Sequence, residues 1–259
     1  MKESEMTACA IVTGGAGDIG RAIVKRLLAD GFHVESWDRD SGRLAENDAM
    51  FSGLPHVSRT VDLLDSESVA AAAGAERKAQ LRVLVNNAGG VTESVTLKST
   101  SEADFRLDLE LNLTAAWRCI DHFKEALKGG GAIINIASIN GTGVYGFPGY
   151  SAAKAGLLQL TRFGAVEFGK EGIRVNAIAP GTVRTQAWDS RIEKDPEIFE
   201  RAARWYPMKD ICRPEDIAGA VSFLAGPDAR MITGITLPVD GGLSAGIDIV
   251  AGGLSQSDV

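Results

Sequence analysis

Three side chains in the middle of this 259-residue chain, Ser138, Tyr150 and Lys154, have the types and spacing to move a proton on and off an alcohol oxygen. Tyr150 and Lys154 lie four residues apart, which on a helix sets them one turn apart on one face. A phenol has an unperturbed pKa of about 10 and shuttles protons poorly near neutrality unless a cation stands beside it. The Lys154 ammonium can be that cation, and a bound oxidised nicotinamide would add a second positive charge. Ser138 is then the group that holds the substrate oxygen against the Tyr150 hydroxyl. A Tyr-x-x-x-Lys pair alone is weak evidence; its competitor Tyr145 has Gly149 four residues on and drops out.

A second constellation supplies a place for that nicotinamide. Gly15-x-Gly17-x-x-Gly20 follows an apolar run and precedes a helical pattern, the context a dinucleotide site requires. Glycines let the backbone approach a diphosphate, and the helix start offers free N–H groups and positive potential. Asp38 follows Gly20 by eighteen residues, at the end of the second apolar run. A carboxylate there accepts hydrogen bonds from ribose hydroxyls and repels a 2′-phosphate, favouring NAD over NADP. Arg39 beside it is the competing feature, since a guanidinium can receive that phosphate. The alternative of a purely structural turn stays open at this point; a nucleoside-triphosphate loop would need a Gly-Lys-Ser/Thr that is absent.

The elements that must position these groups read as alternating strands and helices. Strands are expected near residues 8–12, 34–37, 57–61, 83–85, 132–137, 174–178 and 235–239. Ile19, Ala22, Ile23 and Leu27 mark a first helix that Gly31 closes, and further helices are expected over 67–79, 151–168 and 214–225. Ser99-x-x-Glu102 is a capping-box pattern, predicting a long helix from there through Leu127. Seven strands between helices predict an α/β Rossmann fold, a doubly wound and mostly parallel seven-stranded sheet in a single domain over residues 1–259. Residues 182–211 are too long for a bare connection and are expected to form a substrate lid.

Composition narrows the function classes. Apolar residues make up 45% of the chain and charged residues 24%, the balance of a globular protein rather than a fibre or a disordered tail. A net charge of −7 with no basic stripe speaks against a nucleic-acid partner. Cys9, Cys119 and Cys212 are odd in number and far apart, and His33, His56 and His122 are scattered, so neither disulfides nor a metal site is expected. No apolar run approaches membrane-spanning length and residues 1–7 lack a signal-peptide pattern, so a soluble cytoplasmic protein is expected.

In this order along the chain, Thr13-Gly14 with Ile19-Gly20, Asp38, Asp62, Asn86-Asn87-Ala88-Gly89, Asn112, Ser138, Tyr150 with Lys154, Pro180-Gly181 with Thr185, and Asp240-Gly241-Gly242 resemble the short-chain dehydrogenase/reductase family of the compact type. The resemblance implies Asn112, Ser138, Tyr150 and Lys154 as the catalytic set, Asn112 holding a water that links Lys154 to solvent. It implies a cofactor site of Gly14, Gly17, Asp18, Ile19, Asp38, Asp62, Leu63, Asn87, Val183 and Thr185, together with Tyr150 and Lys154. Asp62 and Leu63 would border the adenine, Asn87 the adenosine side, and Val183 with Thr185 the nicotinamide carboxamide. Ser138, Asn140, Tyr150, Trp188 and Arg191 are the substrate-side candidates, and a homotetramer is the family's habit. Two departures stand out. Asp18 replaces the middle glycine of the family's turn and is expected to cap the following helix. The interval from Ser138 to Tyr150 is one residue shorter than is common.

The resulting expectation is NAD-dependent interconversion of a secondary alcohol, such as a sugar, polyol or cyclic alcohol, with its ketone or lactone. The lid resembles those of sugar and polyol dehydrogenases. The alternatives are an NADPH-dependent 3-oxoacyl-acyl-carrier reductase and a non-catalytic nucleotide-sensing regulator. Arg184, Arg191, Arg201 and Arg204 with Trp188 and Trp205 suggest a polar substrate bearing an anionic group. Asp189, Glu193, Asp195, Glu197 and Glu200 share that stretch, so helix-surface pairing is the competing account.

Overall fold

The computed structural model describes residues 8–246. Its central strands are buried and mostly apolar on both sides, which forces them between two helical layers. In β1 (Ala8–Thr13), Ala10 and Val12 join one buried cluster while Cys9 and Ile11 join another, the period-two alternation of a strand covered on both faces. β2 (His33–Asp38), β3 (His56–Thr60), β4 (Gln80–Asn86), β5 (Ala132–Ile136), β6 (Arg174–Pro180) and β7 (Thr236–Val239) complete one sheet. The order is β3-β2-β1-β4-β5-β6-β7 and every pairing is parallel.

On one face lie α1 (Asp18–Ala29) and α9 (Pro214–Ala225), whose Ile23, Val24, Leu27, Ile217, Val221 and Leu224 pack against the sheet. Burying each such side chain contributes roughly 1.5–3 kcal/mol. On the other face α5 (Ala115–Phe123) packs Cys119, Ile120 and Phe123 against Trp37 and Leu84. There α6 (Pro148–Phe168) lies alongside. The chain winds outward from β1 in one direction and from β4 in the other. The crevice beyond the carboxyl ends of these strands is therefore where a ligand is expected.

Several local expectations are corrected. Ser101, not Ser99, caps the helix that begins at Glu102, its Oγ accepting from Asp104 N at 3.0 Å; Ser99 is held in a turn with Thr96. The helix predicted to run through Leu127 is broken into α4 (Glu102–Leu109), a π-helical turn (Glu110–Thr114) and α5. α3 (Ser66–Ala73) stops at Gly74, well short of residue 79. α2 (Ser41–Met50) was not expected at all. The stretch 182–211 is partly ordered into a 3₁₀ turn (Gln186–Trp188), α7 (Asp189–Lys194) and α8 (Ile198–Ala203). Among the described residues no helix is long and apolar enough to cross a membrane.

Candidate active site

Ser138 follows β5, Tyr150 occupies the first turn of α6, and Lys154 comes one turn later, so the strand end and the helix start meet over one cavity of about 710 Å³. Asn87, Val183, Thr185, Trp188 and Arg191 line the same cavity. Pro148 opens α6, where its missing N–H does no harm. Phe147 precedes it with a left-handed φ of 54°, a strained conformation held by its N–H donating to Val95 O at 3.0 Å. That turn delivers Tyr150 to the cavity.

The Lys154 ammonium donates to Ile136 O at 2.8 Å and lies 5.5 Å from the Tyr150 ring centre. Burial pulls its pKa down from 10.5 to about 7. Burial also pushes the Tyr150 phenol up; a hydrogen bond with Ser138 pulls it back, and the Asp108 carboxylate pushes it further. Without ligand, the influence that lowers the phenol is the hydrogen bond with Ser138. Once the phenol ionises, the two groups become a coupled pair in which each charge favours the other.

Ser138 Oγ donates to Asn140 Oδ1 at 3.2 Å and accepts from Asn140 N at 3.1 Å. Asn140 Nδ2 in turn donates to Gly146 O and Ser151 Oγ, so this side chain ties the loop after β5 to the start of α6. Asn112 sits in the π-helical turn, donating from Nδ2 to Gly90 O and Asp108 O and accepting from Gly90 N. π turns frequently mark functional positions. Gly89 explains why no larger residue fits there: a Cβ would meet Asn112 Oδ1 at 2.7 Å and Lys154 Nζ at 3.3 Å. Asp108 was missed by sequence reasoning. It accepts from Thr92 N and Oγ1 and lies under Gly149, where a Cβ would meet its Oδ2 at 2.7 Å.

The cofactor candidates line two contiguous spaces next to this cavity. Gly14, Asp38, Arg39, Asp62 and Leu63 line one; Gly17, Asp18, Ile19, Asn87 and Thr185 line the other. Gly14 has φ +62°, and a Cβ on Gly20 would stand 2.0 Å from Gly14 O, so the turn is pressed onto the first turn of α1. The N-cap of α1 is Gly17, which has no side chain to cap the helix and leaves its start available to an anion. The Asp38 carboxylate is fixed by Ala16 N at 3.2 Å and Asp40 N at 3.1 Å. Asn87 Nδ2 donates to Thr13 O and Gly14 O, holding the turn. These features fit a dinucleotide.

The expectation for Asp18 is overturned. Its carboxylate does not cap α1; Oδ1 accepts from Arg43 at 3.0 Å and Oδ2 from Gln186 N at 2.6 Å. The backbone N–H after Thr185 and a guanidinium from α2 are stronger partners than the residue's own helix start. Arg43 also reaches Gln186 Oε1 at 3.3 Å. Its role had no sequence signal, since α2 itself was not seen.

The chain matches a family model described as enoyl-(acyl carrier protein) reductase over residues 14–244. It is 37% identical over 243 residues to a galactitol 2-dehydrogenase (L-tagatose-forming) of Cereibacter sphaeroides, covering 91% of this chain and 94% of that protein. An oxidoreductase of the short-chain dehydrogenase/reductase family from Burkholderia thailandensis has a similar structure, with TM-score 0.91, 40% identity, and coverage of 98% and 99% of the two chains. So does a variant actinorhodin polyketide ketoreductase solved with NADPH, with TM-score 0.85, 32% identity and coverage of 92% and 97%. The chain belongs to the short-chain dehydrogenase/reductase family, and it is an NAD(P)-dependent oxidoreductase of the Rossmann fold.

Proposed function

We propose that the protein interconverts a secondary alcohol on a small polar molecule, of the sugar or polyol kind, with its ketone or lactone, using NAD. The observation that carries this reading is the convergence of Ser138, Tyr150 and Lys154 on one cavity at the carboxyl end of the sheet. A bound nicotinamide supplies the hydride acceptor or donor. Tyr150 takes the proton from the substrate hydroxyl in oxidation and returns it in reduction. Ser138 orients that oxygen, and Asn140 fixes Ser138. Lys154 holds positive charge beside the phenolate and bonds the ribose, while Asn112 holds the relay water. Asp62, Leu63, Asn87, Val183 and Thr185 keep the cofactor contacts given above.

NAD is favoured by Asp38, whose carboxylate is pinned by two backbone N–H groups and cannot swing away from a 2′-phosphate. A reductase of acyl-carrier substrates using NADPH is the second reading, favoured by the description of the matching family model and by Arg39 in the adenosine-side space. An NAD- and NADP-reduction screen against sugars, polyols, uronic and sulfonated sugars, steroids and hydroxy acids, with 3-oxoacyl thioesters in the reverse direction, separates the two. Turnover of the thioesters with NADPH alone would replace our reading by the second. Residues 182–211 act as the lid of a single catalytic domain. The protein works as a cytoplasmic homotetramer, with Trp117, Phe163 and Val166, exposed on α5 and α6, at the contacts between copies. Light scattering checks the assembly.

A further inference from the structure

The cavity over Tyr150 is lopsided in charge. Among the described residues lining it only Lys154 and Arg191 are charged, both are cations, and no aspartate or glutamate is among them. The chain as a whole carries −7. Lys154 is engaged with Ile136 O deep in the site. Arg191, on α7, stands at the exposed rim with its guanidinium 4.8 Å from the Trp188 ring centre.

Pairing along the helix surface ought to neutralise Arg191, and it fails for an identifiable reason. Residues two apart on a helix do not face each other, which removes Asp189 and Glu193 as partners. The carboxylate four residues on, Asp195, is held by Arg201 in a close ion pair. Arg184 is likewise satisfied by Asp210 at 3.5 Å. Among the described residues, Arg191 has no carboxylate within ion-pair distance. A guanidinium lying over an indole ring is held by cation–π attraction, and its N–H groups can bind a planar or tetrahedral anion in a forked fashion.

We propose that the substrate carries an anionic group, a carboxylate, sulfonate or phosphate monoester, which Arg191 binds while the reacting hydroxyl lies at Tyr150. The proposal rests on the dehydrogenase reading above. It makes Arg191 a specificity-determining residue and Trp188 the platform that orients it. Charge-assisted hydrogen bonds of this kind are worth about 10- to 100-fold in binding.

The test uses the full chain with NAD and matched substrates: glucitol, gluconate, glucitol 6-phosphate, and 6-deoxy-6-sulfoglucitol, alongside any alcohol from the screen and its acidic counterpart. The expected result is a kcat/KM at least tenfold higher for an anionic member than for its neutral partner, expressed mainly in KM. Arg191→Ala collapses that ratio, Arg191→Lys restores part of it, and Arg191→Glu inverts it. Independently of turnover, inorganic sulfate quenches tryptophan emission, and the quenching is lost in both Arg191→Ala and Trp188→Phe. A ratio near one in the unmodified protein, or one that Arg191→Ala leaves alone, overturns the proposal even though alcohols are oxidised. If no alcohol is oxidised but sulfate still quenches through Arg191, the anion site stands and the dehydrogenase reading falls. Sulfate quenching that survives Arg191→Ala counts against the site.

Discussion

Replacing Lys154 by Met should destroy activity and stabilise the ligand-free protein, with a pH dependence that identifies the cause. The Lys154 amine is buried and its pKa falls from 10.5 to about 7 through burial alone. At 1.36 kcal/mol for each tenfold change in proton affinity, that fall corresponds to about 5 kcal/mol of disfavour for the charged form in the folded state. Below pH 7 both folded and unfolded chains hold the proton, so the full cost is present. Between about pH 7 and 10.5 the unfolded chain binds the proton and the folded chain does not, so stability rises with pH until the cost has vanished. Methionine removes the charge but leaves Ile136 O without the 2.8 Å hydrogen bond it now accepts, a loss of about 1–3 kcal/mol. The variant is therefore expected to be about 2–4 kcal/mol more stable than the parent at pH 6 and about 0–2 kcal/mol less stable near pH 10. Urea unfolding of both proteins, without cofactor, at several pH values measures this directly. A difference of constant sign and size across that range would refute the argument, since titration of residue 154 must make it change. The gain at low pH is what the site gives up to keep an ammonium beside the reacting phenol.

Tyr150→Phe should lower turnover by about 10²–10⁴-fold through lost acid–base catalysis while NADH affinity, followed by fluorescence, stays within a few-fold; a variant retaining a tenth of normal activity would falsify the assignment. Asp38→Ala should erode a preference for NAD worth about 2–4 kcal/mol, roughly 30- to 1000-fold, as read from kcat/KM with each cofactor; equal use of both by the unmodified protein would mean that Arg39 dominates. Arg43→Ala leaves the Asp18 carboxylate without its guanidinium at the diphosphate turn and should weaken NADH binding by about 1–2 kcal/mol. Adding Asp18→Asn to that variant should restore most of the affinity, and a double variant as weak as the single one sinks the idea.

The parts of this molecule that were legible in the sequence are those with local signals. Strand runs such as Val83 to Val85 and the helix stripe Ile19, Ile23, Leu27 announce themselves because burial demands a fixed period. The glycine turn is local too. What stayed hidden depends on distant partners or on near-equal local choices. α2 reads SGRLAENDAM and buries only Leu44 and Asn47, so it shows no apolar stripe. Ser99 and Ser101 each precede an acidic residue by three positions, and the contest went to Ser101 because Asp104 also receives Ser94 Oγ at 2.9 Å. The π-helical turn, of sequence ELNLT, contains no glycine or proline to announce it, so Asn112 was identifiable as a residue but not in its setting. Asp108, the support beneath Gly149, carries no motif.

Asp18 shows how such a departure becomes intelligible once long-range contacts are known. A carboxylate beside a diphosphate site is a liability if it stands alone. Here it stands at the positive end of α1, accepts from the Arg43 guanidinium, and accepts from the Gln186 N–H at 2.6 Å. Three positive partners from three separate segments offset one negative charge, so the turn need not repel an anion. The same contacts have a mechanical consequence. Gln186 directly follows Thr185 and opens the 3₁₀ turn that carries Trp188. Fixing its backbone to Asp18 couples the position of the glycine turn to that of Thr185 and, through Trp188, to Arg191. A single glycine-to-aspartate change at the turn thus ties the cofactor side of the cleft to its substrate side, which a glycine, having no side chain, has no means to do.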